Sequence, residues 1–410
     1  MESYSYLHLG EPEDPDRNVV CRYRVTTDLS MEKAAEAIAA EQSTGTWTGI
    51  STLDRSIFDG LGARITSIDG DVITCEFPAE DFSIETGAVP QILSVIAGNL
   101  FGLGALKAVR LEDVTFPKSI LEQFKGPKFG AEGIRKALKR PEEPLVGTIV
   151  KPKIGLSPEK TAEYVYEAGS GGLTNSKDDE TLVDQSFCPI EDRTIRVAEA
   201  LDRLKEEGRM MMHAVNVSTR SDRIVELAEK VQGWGAREIM IDVITCGYGC
   251  LQALAEDPSI KVPIHVHRTM HGAFTKDPRH GINMLVLSKL VRMVGGDALH
   301  IGTLGVGKMA AGAHDDSNLK ACLGDDVPYK TVMPVCSGGV HPSLVADIIA
   351  RSGMDVQIQA GGGVAGHPGG VRAGAMAMSQ AVHAAYEGIP AAEYAESHPE
   401  LRIALERWPR

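Results

Sequence analysis

The sequence predicts an α/β protein, a C-terminal (β/α)8 TIM barrel preceded by a smaller α+β N-terminal domain. Three observations carry this. At 410 residues the chain exceeds one ordinary core and suits a large domain plus a smaller one. From Leu145 onward, eight short apolar runs alternate with amphipathic helical segments over about 260 residues, the rhythm of a (β/α)8 barrel. Polar residues gather where many of these runs end, and such barrels place their active sites at the C-terminal ends of their strands. A doubly wound parallel sheet is the rival architecture.

The first domain is expected over residues 1–125 and the barrel over 126–410. In the first, Val19–Val25, Ala63–Ile68 and Val72–Phe77 read as strands. Met31–Glu41 and Val89–Phe101 carry apolar residues at helical spacing, and Gly98 and Gly102 allow close packing. The stretch from Pro117 to Pro144, with four prolines, reads as a linker with one short helix. The barrel strands are expected at Leu145–Val150, Gly171–Leu173, Met211–Val217 and Glu238–Ile244. Four more follow at Val262–Val266, Ala298–Ile301, Thr331–Cys336 and Val356–Ala360. Pro158–Ala168, Ser221–Gln232 and Leu344–Arg351 are among the helices between them.

A net charge of −14 with no basic block argues against a nucleic-acid partner. It leaves room for a small anionic substrate, because a few lysines reverse the field inside one cleft. Seven scattered cysteines form no disulfide framework. Cys246 and Cys250 have a zinc-like spacing, but no second pair accompanies them, so they are read as packing. The first residues lack a basic-then-apolar signal pattern, and no run reaches the ~20 apolar residues that cross a bilayer. A cytoplasmic protein without membrane partners is expected.

The most informative stretch is Lys177-Asp178-Asp179-Glu180. Lys151-Pro152-Lys153 and His265-Val266-His267-Arg268 repeat its layout, polar groups at i and i+2 closing an apolar run and so sharing one face. Alone, the first run reads as solvated charge. Beside cationic Lys151 and Lys153, however, the amine of Lys177 loses its proton more readily. A neutral amine can add CO2 as a carbamate, turning +1 into −1. The carbamate, Asp179 and Glu180 then offer three anionic oxygens suited to Mg²⁺. Asp178, at the odd position, should point away and serve the structure.

Three glycine-rich stretches need separating. Gly302 to Lys308 imitates a P-loop, but Met309 stands where Ser or Thr must ligate magnesium. Gly361 to Gly366 imitates a dinucleotide fingerprint, but it follows the last strand and no acidic residue ends a later one. The favoured reading joins Ser337-Gly338-Gly339 with Gly361-Gly362-Gly363, after the seventh and eighth barrel strands, as a phosphate site of backbone N–H groups. His267, Arg268 and His300 at neighbouring strand ends fit an anionic substrate. Lys308, between glycines, suits a lid. Asn216-Val217-Ser218 is formally a glycosylation sequon and is set aside because it ends a barrel strand.

Together these residues resemble the large subunit of ribulose-1,5-bisphosphate carboxylase/oxygenase (RuBisCO), from about Cys21 to the end. Further stretches carry the likeness: Glu41-Gln-Ser-Thr-Gly-Thr46-Trp47, Gly98-Asn99, Gly147-Thr-Ile-Val-Lys151, His300-Ile-Gly-Thr and Gly307-Lys308. The C-terminal stretch is closest to the archaeal-type (type III) branch. The resemblance implies a homodimer or an oligomer of dimers, each site completed by Glu41 and Asn99 of a neighbouring copy, with no small subunit expected. It implies a carbamylated Lys177 that binds Mg²⁺ with Asp179 and Glu180 and takes the C3 proton of ribulose bisphosphate. Lys151 exchanges a proton, tuned by Lys153. His267 assists hydration, and Lys308 holds CO2. One phosphate lies on Thr46, Trp47, Gly339, Gly362 and Gly363, the other on Arg268, His300 and Ser337. Gly338 and Gly361 complete the two turns. The expected reaction is carboxylation, with oxygenation, of ribulose 1,5-bisphosphate. The alternative is a RuBisCO-like enolase, isomerase or decarboxylase acting on another phosphorylated ketose. Thr174-Asn175 stands where the family usually has an Asp-aromatic pair.

Overall fold

The structure, a computed structural model, describes residues 4–46, 48–307 and 315–410. Its first strands are β1 (Asn18–Thr26), β2 (Arg64–Asp69), β3 (Val72–Pro78) and β4 (Ala108–Thr115). Then come β5 (Leu145–Ile149), β6 (Asn175–Lys177), β7 (Met212–Asn216), β8 (Glu238–Asp242) and β9 (Ile264–His267). The last are β10 (Gly281–Ile282), β11 (Ala298–Gly302), β12 (Met333–Ser337) and β13 (Gln357–Gln359). Two compact units divide them. One runs to Lys125 and adds Met270–Met293; the other comprises Gly126–Thr269 and Val294–Arg410.

The first unit is built on a five-stranded sheet in the order β10-β4-β1-β3-β2. Alternation along β1 sends Val19, Cys21, Tyr23 and Val25 to one buried face. The helix Met31–Gln42 starts at Ser30, whose hydroxyl accepts the Lys33 N–H, and buries Ala34, Ala35, Ile38 and Ala39. The helix expected at Val89–Phe101 lies earlier, at Ile84–Ala97, and kinks at Ala88, where φ is +42°. The pattern does not betray β4, because Arg110, Glu112 and Asp113 interrupt its apolar run. Their partners come from a distant segment. Arg110 donates to the Thr275 and Asp277 carbonyls, Asn283 donates to Glu112, and β10 pairs parallel to β4.

The second unit is a closed parallel barrel in the order β11-β12-β13-β5-β6-β7-β8-β9. All residues of β7, β8 and β11 are buried, as befits strands covered on both faces. One strand is displaced from its expected place. Gly171 ends the helix Pro158–Ser170 and Gly172 sits at φ +96°, so the run Gly171–Leu173 is a turn and β6 begins only at Asn175. The proline-rich connection holds two helices rather than one, Lys118–Leu121 and Gly130–Leu138.

The helix Gly130–Leu138 plugs the N-terminal end of the barrel. Its Ile134 and Leu138 join a core with Leu145, Met212, Ala298 and Met333, which open β5, β7, β11 and β12. Asp297 fastens the plug. Its carboxylate accepts the N–H groups of Phe129, Gly130 and Ile264 at 2.7, 2.8 and 2.8 Å. Burial still pushes this carboxyl up to about 6. With that end filled, the open end of the barrel is at the C-terminal ends of its strands. All seven cysteines are free; six are buried, Cys250 among them, and Cys246 is partly exposed. Among the described residues, no helix is long and apolar enough to cross a membrane.

Candidate active site

The C-terminal strand ends converge as the spacing of the polar groups requires. Lys177 closes β6 with its side chain only 1 % exposed. Its Nζ donates to the Asp178 carbonyl at 2.8 Å and lies 3.7 Å from Glu180 Oε2. Lys151, just beyond β5, donates to Asp179 Oδ2 at 2.8 Å. Lys153 Nζ stands 3.7 Å from Glu180 Oε1 and is more exposed. His267, closing β9, places Nε2 3.8 Å from Glu180 Oε2 and Nδ1 3.3 Å from Asp242 at the end of β8. Lysines, carboxylates and an imidazole therefore meet around one centre.

Burial sets the charge states. It lowers the pKa of Lys177, with a smaller push from Lys151, against the pull of Glu180, Asp179 and Asp242. Burial would raise Asp179 and Glu180, yet both lie below the usual carboxylate range. Lys151 and Thr181 hold Asp179 down; Lys177 and His267 do so for Glu180. Burial, then Lys177, keeps His267 low and hence neutral near pH 7. The centre thus combines carboxylates and an amine that all lie below their ordinary pKa ranges. Among the described residues no three His, Cys, Asp or Glu side chains gather as a metal site. Lys177 is the buried amine that stands beside Asp179 and Glu180 at this centre.

Asp178 turns away from this centre into the wall. It pairs with fully buried Arg193 at 3.1 Å, meets His213 Nε2 at 3.2 Å and accepts the Asn216 N–H at 3.0 Å. Burial raises its pKa, but Arg193 and His213 outweigh that and hold it at about 2. Asn216 was not singled out for the site from the sequence. Its fully buried amide donates to the Glu180 carbonyl at 3.2 Å, so it braces the backbone of the lysine–carboxylate run. Burial also rules out the sequon.

The two glycine turns come together. A Cβ on Gly363 would lie 2.4 Å from the Val340 carbonyl oxygen and 2.9 Å from His341 Cα. One on Gly361 would lie 2.9 Å from Lys151 Cε, whereas one on Gly362 would meet nothing within 4 Å. Gly338 and Gly339 have φ of +113° and +73°, where only glycine is relaxed. Gly363→Ala is therefore expected to destabilise the protein by about 1–3 kcal/mol through overpacking. Gly362→Ala should stay within about 0.5 kcal/mol of the parent. Denaturant unfolding of the two variants checks the contrast.

His300, in β11, is buried, and both its ring nitrogens are engaged: Nδ1 with Ser337 Oγ at 2.6 Å and Nε2 with His265 Nε2 at 2.8 Å. Arg268 follows His267 directly. In the first unit, Asn99 and Glu41 are brought together, with Asn99 Nδ2 3.4 Å from Glu41 Oε1, and Thr46 is half-buried beyond the end of that helix. Trp47 and Lys308 lie outside the described residues. The sequence did not point to Glu238 and Asn175 as companions of the histidines, because their spacing carries no motif.

Known proteins resemble this chain over almost its whole length. The family model described as "Ribulose bisphosphate carboxylase large chain, catalytic domain" matches residues 130–408, and its N-terminal-domain counterpart matches residues 9–120. A protein named ribulose bisphosphate carboxylase from Methanosarcina mazei is 39% identical, covering 98% of both chains. Its namesake from Methanocaldococcus jannaschii is 41% identical over 92% of this chain and 94% of the other. The crystal structure of octameric Rubisco from Pyrococcus horikoshii superposes with a TM-score of 0.92 at 38% identity, covering 98% and 96% of the two chains. Dimeric archaeal Rubisco from Hyperthermus butylicus gives 0.88 at 38% identity, covering 98% of each.

Proposed function

Because this chain belongs to the family of ribulose bisphosphate carboxylase large chains, we propose that it carboxylates ribulose 1,5-bisphosphate to two 3-phosphoglycerates, with oxygenation as a side reaction. The observation that carries the reading is Lys177, a fully buried amine of lowered pKa beside Asp179 and Glu180 at the barrel mouth. As a neutral amine its Nζ attacks CO2; an N–C bond forms and a proton leaves. The carbamate on Lys177, with Asp179 and Glu180, would hold Mg²⁺. When bound, the ion supplies positive charge that stabilises the enediolate.

The chain's own groups do the rest. The carbamate oxygen of Lys177 takes the C3 proton of the substrate. Lys151, already aimed at Asp179, stands ready to exchange a proton with the intermediate. Lys153 adds positive charge beside Glu180. His267, which burial disfavours as a cation, can accept a proton from the water that hydrates the new ketone. The turns at Gly338-Gly339 and Gly361-Gly363, with Thr46 and Trp47, anchor one phosphate. Arg268 anchors the other, beside the edge formed by His300 and Ser337, and Lys308 steers CO2. Two anchors fix the reacting carbons in line. A homodimer or an oligomer of dimers, with Glu41 and Asn99 supplied by a neighbouring copy, completes the reading.

The test is incubation of protein pre-activated with bicarbonate and Mg²⁺ with ribulose bisphosphate and labelled CO2, without oxygen. Acid-stable label in 3-phosphoglycerate is expected. C3 proton exchange without fixed label would transfer the site to an enolising reaction on another ketose phosphate.

A further inference from the structure

A chain of buried polar groups crosses the barrel beneath the mouth, and the proposed reaction does not account for it. Gln359 Nε2 on β13 donates to Asn175 Oδ1 on β6 at 2.7 Å, and Asn175 Nδ2 donates to Glu238 Oε2 on β8 at 2.6 Å. Glu238 Oε1 lies 3.3 Å from His265 Nδ1 on β9. His265 Nε2 lies 2.8 Å from His300 Nε2 on β11, and His300 Nδ1 lies 2.6 Å from Ser337 Oγ on β12. Gln359, Asn175, Glu238 and His265 are fully buried and His300 nearly so. A carboxylate placed there, with no Lys or Arg ion pair among the described residues, is expensive and calls for a reason.

The reason is direction. Between two Nε2 atoms only one can carry the hydrogen. Asn175 presents its NH₂ to Glu238 while Gln359 donates to its oxygen, so Glu238 is an acceptor on that side. It accepts again from His265 when Nδ1 bears the proton, which leaves His265 Nε2 as an acceptor. His300 must then donate from Nε2 and accept at Nδ1, and among the described residues the donor that meets that nitrogen is the Ser337 hydroxyl. Burial first, then neighbouring His267, His265, Lys177 and Arg268, keep His300 from taking a second proton. We propose that Glu238 is a positioning residue that, through His265, fixes the tautomer of His300 and commits the Ser337 proton to the wall. Ser337 Oγ then offers the ligand only lone pairs, which match a hydroxyl donor of a polyol phosphate and reject a phosphate oxygen. The ligand chemistry here rests on the function proposed above; the proton positions do not.

Neutron diffraction from deuterium-exchanged wild-type crystals tests the core of this. Deuterium is expected on His265 Nδ1, on His300 Nε2 and on Ser337 Oγ pointing at His300, with none on Glu238. Deuterium on His265 Nε2 together with His300 Nδ1 would overturn it, and this outcome does not depend on what the enzyme turns over. Glu238→Gln, nearly isosteric, can donate as well as accept and so frees the chain to reverse. For that variant the KM for ribulose bisphosphate is expected to rise about tenfold, roughly 1.4 kcal/mol, with kcat changed less than about threefold. An unchanged KM in a folded variant would contradict the role. Absence of carboxylation in the wild type, with the expected neutron map, would instead sink the proposed function and leave the tautomer assignment standing.

Discussion

Lys177→Met is expected to abolish carbon fixation, by more than about 10⁴-fold, while the protein stays folded. A positioned acid–base group alone contributes about 10²–10⁴. This substitution also removes the carbamate that would be the third anionic ligand beside Asp179 and Glu180. Methionine keeps most of the stem volume of a side chain that is 1 % exposed, so packing is largely preserved. Lys151 and Lys153 still neutralise the two carboxylates. Bisphosphate affinity should change less than about threefold, since the glycine turns and Arg268 are untouched. Turnover measured with saturating bicarbonate and Mg²⁺, beside calorimetric titration of the bisphosphate, separates the two effects. Turnover near the wild-type level would remove Lys177 from the mechanism.

Asp178→Asn should cost about 3–5 kcal/mol, the largest stability loss expected from a single near-isosteric change in the barrel. It leaves the Arg193 guanidinium, fully buried, without its anion, and weakens the hold on His213 and the Asn216 N–H. Denaturant unfolding reads the loss directly. The acid limb gives an independent check. The folded-state pKa of Asp178 is about 2, below its unfolded value of about 3.9. Its contribution is fully present above about pH 3.9 and is lost as pH falls through 2, on the order of 2 kcal/mol in all. The Asn variant should lack that part of the acid-side decline. Activity should fall too, because Asn216 also braces the Glu180 carbonyl.

Much of the site was legible because the chemistry sits at strand ends. The i and i+2 spacing of Lys151 and Lys153 and of His265 and His267, with the lysine–carboxylate run at Lys177, announced convergence on one face. The odd position of Asp178 announced that it would turn away, and it does. Strand positions were read to within a few residues where apolar runs were uninterrupted, as in β7 and β11. They failed where the rule behind the pattern was absent. Gly171 and Gly172 looked like the start of a strand but form a helix cap and a left-handed turn. Strand β4 escaped notice because its buried Arg110 is satisfied by carbonyls more than 160 residues away, which no local pattern contains. The same holds for Glu238, a carboxylate in an apolar run whose partners Asn175 and His265 come from two other strands. Asn175 looked like a departure from the family pattern; in the barrel it is the donor that holds Glu238.

The central claim is that Lys177 becomes a carbamate. It is tested most directly by ¹³C NMR of the protein equilibrated with ¹³C-labelled CO2 and Mg²⁺. One protein-bound carbamate resonance is predicted in the wild type, persisting after free CO2 is removed while Mg²⁺ is present and absent from Lys177→Met. A resonance that survives in Lys177→Met, or none in the wild type, would contradict the account.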